Sequence, residues 1–299
     1  MAKQFGNSER KVRDLFSVGQ VFVYNQQTYK IEEVGKPTCQ HGEPKTDVYV
    51  KCHCFELNED AEFKISFKQQ NADFLENKMS AERAEQLFGP EWSVIISRAL
   101  SNIIDRFKAK PLIYKTRFGK TDKGAITLGW KFELLNVESG ALSGSMNLSR
   151  EQLIDVYAGT NLATEKRNAA VNGVEIKDSG IANFILFEDD VQTDLQSTVD
   201  CLESIESYID DNNQIFFACK ALNYRTIRKK YDGNRPLAVY IDWSVDRGKL
   251  KSILIANNPL QKGGTEIANK LIESLNILGI DTTDDIDESN VVDVTIIYQ

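Results

Sequence analysis

The stretch from Gly42 to Gln70 constrains this chain most, because it predicts two strands that pair with each other. The first run, Asp47 to Leu57, is rich in β-branched and aromatic residues. The second run, Glu62 to Gln69, alternates apolar and polar residues, which is typical of a half-buried strand. A polar break at Asn58 to Asp60 separates the two runs. The pattern therefore predicts an antiparallel hairpin.

The position of the turn decides which side chains meet across this hairpin. If the turn centres near residue 59, Asp47 lies across from about position 71, and its near neighbours on the second strand are Ser66 and Lys68. At roughly 3.3 Å per residue, Glu62 then lies more than about 10 Å from the Asp47 carboxylate. We therefore expect Asp47, Ser66 and Lys68 to form one polar cluster at the open end of the hairpin.

An Asp on one strand and a (D/E)xK tripeptide on the next resemble the signature of the PD-(D/E)xK nucleases, which include most type II restriction endonucleases. Glu62-Phe63-Lys64 matches the tripeptide literally, whereas Ser66-Phe67-Lys68 has Ser in place of the acid. The hairpin geometry favours the second register. Some restriction enzymes of this superfamily also have SxK and supply the carboxylate from the following helix, 14 residues after the Lys, where this chain has Glu82. The chain departs from the family pattern at Thr46, which replaces the Pro before the Asp.

The resemblance implies Mg²⁺-dependent hydrolysis of DNA phosphodiesters. Hard divalent cations prefer oxygen ligands, so Asp47 and a second carboxylate would hold the ion. Glu82 is the choice for that second ligand, and Lys68 would hold or help deprotonate the attacking water, with Ser66 completing the catalytic set. The acids that remain open as alternatives to Glu82 are Glu76, Glu62, Glu33 and Glu32. The competing interpretation is a solvated strand face that carries ordinary surface charges.

Size and composition fit a globular protein with one large α/β domain or two smaller ones, since the chain has 299 residues and 41% hydrophobic content. No run of eighteen apolar residues occurs, so we expect no membrane partner. The N-terminal stretch has no apolar core of a signal peptide, and the five cysteines have no disulfide-like spacing. These features predict a cytoplasmic protein.

The order of the expected elements predicts an α/β fold, with a restriction-endonuclease-like mixed β-sheet core flanked by helices and an α+β C-terminal part. We place the catalytic core at residues 1–136 and the recognition and dimerisation part at residues 137–299, with one continuous domain as the alternative. Helical spacing predicts single helices over residues 1–16, Trp92 to Phe107 and Asp194 to Ile209. A helix in two pieces is expected from Asn71 to Gly89, and a closing strand from Val291 to Tyr298.

The net charge of −8 argues mildly against nucleic acid as a partner, but the charges are segregated along the chain. Eight basic residues lie between Arg106 and Lys131, whereas Glu188 to Asp211 has nine acids and no base. The loop from Lys115 to Gly124 also contains Phe118, and cations beside an aromatic ring are what a phosphate-contacting loop needs. Its alternative is a basic surface hairpin tip. The candidates for contacts to DNA are Lys115, Arg117, Lys120, Lys123, Lys166, Arg167, Arg225 and Arg228.

The interpretation that follows is a sequence-specific type II restriction endonuclease that acts on double-stranded DNA as a homodimer, since a two-fold symmetric protein matches a palindromic site. One alternative is a non-specific repair or phage nuclease of the same superfamily. Another is a non-catalytic nucleic-acid-binding protein, in which the hairpin cluster is only structural. A last alternative is a zinc-stapled binding protein, in which the metal ligands would be Cys39, His41, Cys52 and Cys54.

Overall fold

The computed structural model describes residues 2–68, 74–77 and 79–299. Within these residues the helices are α1 (Ala2–Leu15), α2 (Ala81–Phe88), α3 (Trp92–Ser101), α4 (Ile104–Lys108), α5 (Arg150–Ala158), α6 (Thr164–Arg167), α7 (Leu195–Val199), α8 (Ile205–Asp211) and α9 (Gly264–Ile277). Short 3₁₀ turns occur at Glu188–Asp190, Thr283–Asp285 and Val294–Ile296.

The strands of the first half are β1 (Val21–Tyr24), β2 (Gln27–Gly35), β3 (Val48–Cys54), β4 (Glu59–Lys68), β5 (Phe74–Glu76), β6 (Ile113–Tyr114), β7 (Ala125–Leu135) and β8 (Ser143–Met146). Those of the second half are β9 (Ala170–Val171), β10 (Val174–Glu175), β11 (Phe184–Phe187), β12 (Glu203–Ser204), β13 (Ile215–Arg225), β14 (Lys230–Tyr231), β15 (Pro236–Leu237), β16 (Val239–Asp246), β17 (Lys249–Ile255), β18 (Lys262–Gly263) and β19 (Ile297–Tyr298).

The chain divides into two compact units, and each is built from two separate stretches of sequence. Unit 1 consists of residues 1–73 and 148–213, and unit 2 consists of residues 74–147 and 214–299. Together these elements confirm the predicted mixed α/β class.

The sheet of unit 1 has the order β1-β2-β3-β4-β11-β12. Strands β1 to β4 form an antiparallel meander, whereas β11 pairs parallel to β4 and antiparallel to β12. A parallel neighbour requires a long crossover, and the chain from β4 to β11 supplies it. The sheet is therefore mixed, as the sequence predicted.

One face of this sheet carries the apolar core of unit 1. The alternating residues Phe63, Ile65 and Phe67 of β4 point into it, together with Val12 of α1 and with Phe16, which follows that helix. Aromatic rings pack edge to face and stacked at its centre, with ring centroids 5.1 to 5.5 Å apart for Phe22–Phe63, Phe22–Tyr29 and Phe63–Phe184. The period-2 alternation of β4 places its polar residues on the opposite face.

Unit 2 contains a sheet of nine strands with the central order β14-β13-β7-β16-β17. The longest pairing joins β13 to β7, and β8 continues along β13. Its core includes the stacked rings of Phe132 and Phe217, with centroids 5.2 Å apart, and the fully buried Trp243, whose indole N–H donates to the Thr127 carbonyl over 3.1 Å.

The predicted boundary after residue 136 does not coincide with the division between the units. It falls between β7 and β8, and both of these strands pair with β13 in one sheet. The sequence gives no signal that residues 148–213 return to the first sheet, because β11 is an ordinary apolar run whose partner is distant in sequence.

Several predicted elements differ from the structure in their extent or type. The predicted helix from Trp92 to Phe107 is interrupted after Ser101, and the predicted helix from Asp194 to Ile209 is divided by β12. The prediction of a closing strand is wrong over most of its length, since within it only Ile297–Tyr298 forms a strand. The N-terminal helix and the Ser80-capped helix α2 are confirmed, but β5 replaces part of the first predicted helical piece, and residues 69–73 and 78 lie outside the described residues.

In the described part of the chain, no helix combines the length and the apolar composition needed to cross a bilayer.

Candidate active site

The β3–β4 hairpin closes earlier along the chain than the sequence predicted. Cys54 pairs with Glu59, and Asn58 adopts a positive φ of 50° in the turn. Asn tolerates the left-handed region, so the turn forms at residues 55–58, and the polar residues that follow join β4. Val48 pairs with Ile65, and the backbone N–H of Asp47 donates to the Ile65 carbonyl over 2.8 Å. Asp47 therefore lies across from Ser66 rather than from about position 71.

This register places the predicted catalytic residues at one end of one sheet face. Asp47 directly precedes β3, Ser66 lies across from it, and Lys68 is the last residue of β4, on the same face as Ser66. The ammonium of Lys68 is near enough to Asp47 for its charge to lower the pKa of the carboxyl. The cluster that the hairpin pattern predicted is thus present in unit 1.

The Asp47 carboxyl is held in a protein environment that disfavours its charge. Burial raises its pKa to about 6, and the carboxylate of Glu9 acts in the same direction. Lys68, the backbone N–H of Phe67 and Lys36 oppose this rise. The N–H of Phe67 donates to Asp47 Oδ2 over 2.8 Å, which fixes the carboxyl group against the end of β4. A carboxyl with a pKa of about 6 loses its proton readily when a cation binds beside it.

Two buried hydroxyls lie beside Asp47 and have no hydrogen-bond partner among the described residues: Thr46 Oγ1 and Ser66 Oγ. Each residue is 1% exposed. A buried hydroxyl without a partner costs free energy, about 1–3 kcal/mol, and it is retained more readily where a ligand or a water completes its bonds. The surroundings of Asp47 therefore include two hydroxyl oxygens that make no hydrogen bond to the described residues.

Sequence reasoning missed two members of the cluster, Glu9 and Lys36. Glu9 lies on α1, is only 6% exposed and accepts a hydrogen bond from the Lys36 ammonium, which follows β2. Both groups act on the charge of Asp47. A signal was present in the sequence, because Glu9 precedes Val12 by three residues and Phe16 by seven, so it lies on the apolar side of α1. An acid on the buried side of a helix needs a partner.

The backbone before Asp47 is held by a close approach of two chain segments. The N–H groups of Lys45 and Thr46 both donate to the carbonyl of Gly180, over 3.0 and 3.3 Å. A Cβ at Gly180 would lie 1.8 Å from the carbonyl oxygen of Lys166, so only glycine fits there. Gly180 thereby fixes the backbone that precedes Asp47, and with it the position of the Asp47 side chain in the cluster.

The literal tripeptide Glu62-Phe63-Lys64 lies elsewhere on the same face. Lys64 pairs with Tyr49 and Glu62 with Lys51, which places Glu62 four positions, or about 13 Å, from Ser66 along β4. Glu62 accepts a hydrogen bond of 2.6 Å from the Tyr49 hydroxyl, and Lys64 donates to the Asp178 carbonyl. The structure therefore brings Asp47 together with the SxK register and not with the ExK register.

The other candidate acids have different surroundings. Glu82 is exposed in the first turn of α2 in unit 2, so its predicted role as a metal ligand stays a prediction. Glu76 accepts two hydrogen bonds from the Arg83 guanidinium, at 2.9 and 3.1 Å. Glu33 accepts from the Asn172 amide, and Glu32 lies 3.7 Å from the Lys51 ammonium.

The cysteines of the zinc alternative do not converge. Cys52 and Cys54 point into the apolar core of unit 1, whereas the Cys39 thiol contacts the carbonyls of His41 and Gly42. Burial raises the pKa of Cys52 to about 12, which keeps its thiol protonated. Across the described ranges, no three His, Cys, Asp or Glu side chains lie close enough together to hold a metal ion.

The two basic loops of unit 2 lie side by side. The backbone N–H and side-chain hydroxyl of Thr226 both donate to the Gly124 carbonyl, and Arg225 and Arg228 approach Asp122 at 3.3 and 4.0 Å. The structure thus brings Lys115, Arg117, Lys120 and Lys123 to the same end of the sheet as Arg225 and Arg228.

Several of these cations already have anionic or carbonyl partners. Lys123 pairs with Asp284 at 3.0 Å, and Lys115 donates to the backbone carbonyls of Asp284 and Ile286. In the described part of the chain Arg117 and Lys120 have no carboxylate within ion-pair distance, and both are exposed, although Arg117 Nε donates to the Gly119 carbonyl over 3.2 Å. Phosphate contacts at this end would therefore come first from these two residues.

The two remaining candidates for DNA contacts, Lys166 and Arg167, belong to unit 1. Arg167 pairs with Asp178 at 3.0 Å, and the amide of Asn172 donates to Glu33 and to the Val34 carbonyl. Burial raises the pKa of the Cys39 thiol, and the charge of the nearby Lys166 ammonium opposes this rise. Arg167 and Asn172 thus have partners within the protein, and contacts of Lys166 and Arg167 to DNA remain a prediction.

Comparison with protein-family models, with curated proteins and with solved structures gives no match for this chain.

Proposed function

We propose that this protein is a Mg²⁺-dependent DNA endonuclease whose active site is the cluster at the open end of the β3–β4 hairpin. The observation that supports this most is the shared position of Asp47, Ser66 and Lys68 on one face of one hairpin. It is the arrangement that the PD-(D/E)xK resemblance implies for its SxK form. In the alternative register, Glu62-Phe63-Lys64, the acid Glu62 lies about 13 Å from Ser66 along the strand.

The residues of the cluster suit a hard cation. Asp47 and Glu9 are carboxylates of the same unit, and Ser66 adds a buried hydroxyl without a partner among the described residues. Mg²⁺ is commonly bound by one or two carboxylates together with substrate phosphates, so Asp47 and Glu9 would be enough to hold it. Once bound, the ion would neutralise charge on the scissile phosphate and lower the pKa of its water.

The two lysines of the cluster have separable tasks. Lys68 would orient the attacking water and donate to the phosphate as negative charge develops on it, because its ammonium lies beside Asp47. Lys36 donates to the carboxylate of Glu9, which is only 6% exposed, and so holds a second acid in place beside Asp47. If Glu9 bound a cation, the Lys36 ammonium would be available for a neighbouring phosphate.

The proposal extends to a restriction-endonuclease-like fold and to a type II restriction endonuclease that acts on duplex DNA as a homodimer. The mixed sheet of unit 1, with the hairpin at its centre, supports the fold assignment. The basic loops of unit 2 support contact with a nucleic acid. Sequence specificity would require discrete cleavage products, whereas a non-specific repair or phage nuclease would give a smear.

Plasmid cleavage tests the proposal. Purified protein, Asp47→Ala and Lys68→Ala are incubated with supercoiled plasmid and Mg²⁺, beside Lys64→Ala as a control lysine on the same strand face. We expect cleavage by the wild type and the control, and a loss of about 100-fold or more in the two active-site variants. Equal cleavage by all four proteins would refute the assignment.

A non-catalytic nucleic-acid-binding protein is the second candidate. It is favoured by the finding that the described residues contain no cluster of three metal-ligating side chains. DNA binding without Mg²⁺-dependent cleavage, unchanged by Lys68→Ala, would select it.

A further inference from the structure

The tip of the β6–β7 loop in unit 2 presents an aromatic ring to solvent. Phe118 and Thr121 exchange two backbone hydrogen bonds of 3.0 and 2.9 Å, which close a tight turn. Gly119 has a φ of +56° within this turn, and open space surrounds the position of its absent Cβ. The turn therefore projects from the sheet, and Phe118 remains 42% exposed at its base.

The exposed Phe118 ring is held in place, because two other aromatic rings pack against one side of it. Its centroid lies 4.7 Å from that of Tyr298 and 6.1 Å from that of Tyr114. Tyr114 is buried, and its hydroxyl donates to the Pro111 carbonyl over 2.8 Å, so the support is itself fixed. A planar apolar surface that is rigid on one side and open on the other can stack against another planar ring.

The charges around this ring favour an anionic partner. Arg117 and Lys120 flank Phe118, are exposed and have no ion-pair partner in the described ranges. Asp122, in the same loop, is already engaged, because it lies within ion-pair distance of Arg225 and Arg228. The tip therefore combines an open aromatic face with two cations that no carboxylate neutralises.

We propose that the loop tip binds an unpaired stretch of DNA, with Phe118 stacked on a nucleobase and with Arg117 and Lys120 on the adjoining phosphates. Every base has a π-face, so stacking of this kind tolerates any sequence. The choice of DNA as the ligand rests on the proposed function, but the site lies wholly in unit 2 and requires neither Asp47 nor Mg²⁺. It would hold a displaced or frayed strand independently of the cleavage chemistry.

The test measures binding and not cleavage. A labelled oligothymidylate is titrated by fluorescence anisotropy in EDTA, with the 299-residue chain carrying Lys68→Ala so that no cleavage occurs. Phe118→Ala should weaken binding about 5- to 100-fold, the range found for one base stacked on an aromatic ring. Phe118→Leu should weaken it similarly, because leucine keeps an apolar side chain but has no planar ring.

Matched controls separate stacking from general effects. Phe55 is 52% exposed and has no basic residue within three positions on either side except His53, while Glu56 adjoins it and Glu59 and Asp60 follow, so Phe55→Ala should leave the affinity unchanged. Arg117→Gln with Lys120→Gln should reduce the slope of log affinity against log salt by about 1.4, at roughly 0.7 per phosphate on a single strand. Lys123→Gln should change it little, because Asp284 already neutralises Lys123.

Three results would overturn the proposal: no binding of the oligonucleotide by the Lys68→Ala protein, equal affinity of Phe118→Ala and Phe55→Ala, or full affinity in Phe118→Leu. A fluorescent base analogue in the oligonucleotide gives a second readout, since its emission should be quenched by the wild-type tip and not by Phe118→Ala. Failure of plasmid cleavage with retained Phe118-dependent binding would reject the nuclease assignment and leave this site standing.

Discussion

Replacement of Asp47 by asparagine gives the most quantitative test of the environment of the cluster. Burial raises the pKa of this carboxyl to about 6, above the value of about 3.9 in an unfolded chain. The folded protein therefore holds the proton more tightly between about pH 4 and pH 6. The resulting stabilisation is complete below about pH 4 and is lost as the pH rises through about 6.

The size of the effect follows from the difference between the two pKa values. A difference of roughly two units, at about 1.36 kcal/mol per unit, corresponds to about 3 kcal/mol. Asn cannot ionise and can still accept the N–H of Phe67. Asp47→Asn should therefore match the wild type in stability near pH 4 and exceed it by about 3 kcal/mol at pH 7.5 without metal.

Urea unfolding at several pH values between 4 and 8, in EDTA, measures this difference for each protein. Asp60→Asn is the matched control at the other end of the hairpin. Its partners Lys51 and His53 lower the pKa of Asp60, so its dependence on pH has the opposite sign. Mg²⁺ at pH 7.5 should stabilise the wild type and have little effect on Asp47→Asn. A stability difference that is constant across the pH range would refute the reasoning.

Three further predictions concern neighbouring residues and the cysteines. Glu9→Gln should raise the Mg²⁺ concentration needed for half-maximal plasmid cleavage about tenfold, and an unchanged requirement would remove Glu9 from the metal site. Gly180→Ala should destabilise the protein by about 1–3 kcal/mol in urea unfolding and should reduce cleavage, because the new Cβ would collide with a backbone carbonyl and displace the entry to Asp47. A thiol reagent at pH 8 should modify Cys39 and Cys201 in the native protein, and fast native modification of all five thiols would contradict the burial. The thiols that should react only after unfolding are Cys52, Cys54 and Cys219.

The hairpin could be read from sequence because its two signals are local. The alternation in β4 fixed which residues share a face, and the Asn-containing break fixed the existence of a turn. The register was displaced because Asn58 takes the left-handed conformation itself, so the following acids extend β4 and do not form the turn. The shifted register places Asp47 directly across from Ser66, so these two residues are still neighbours.

Glu9, Lys36 and Gly180 could not be found in this way, since each depends on long-range packing. Glu9 reaches the cluster only because α1 packs on the sheet, and Gly180 only because residues 148–213 return to β4. A run such as Phe184–Phe187 predicts a strand but carries no information about its partner. The same limit explains why the domain boundary was expected at residue 136.

Single-turnover cleavage of a duplex in Mg²⁺ by Lys68→Ala and Lys64→Ala, two lysines on the same face of β4, tests the central claim most directly. The account predicts that Lys68→Ala loses at least about 100-fold in the rate of the chemical step and that Lys64→Ala stays within a few fold of the wild type. The reverse order, or equal rates for both variants, would contradict it.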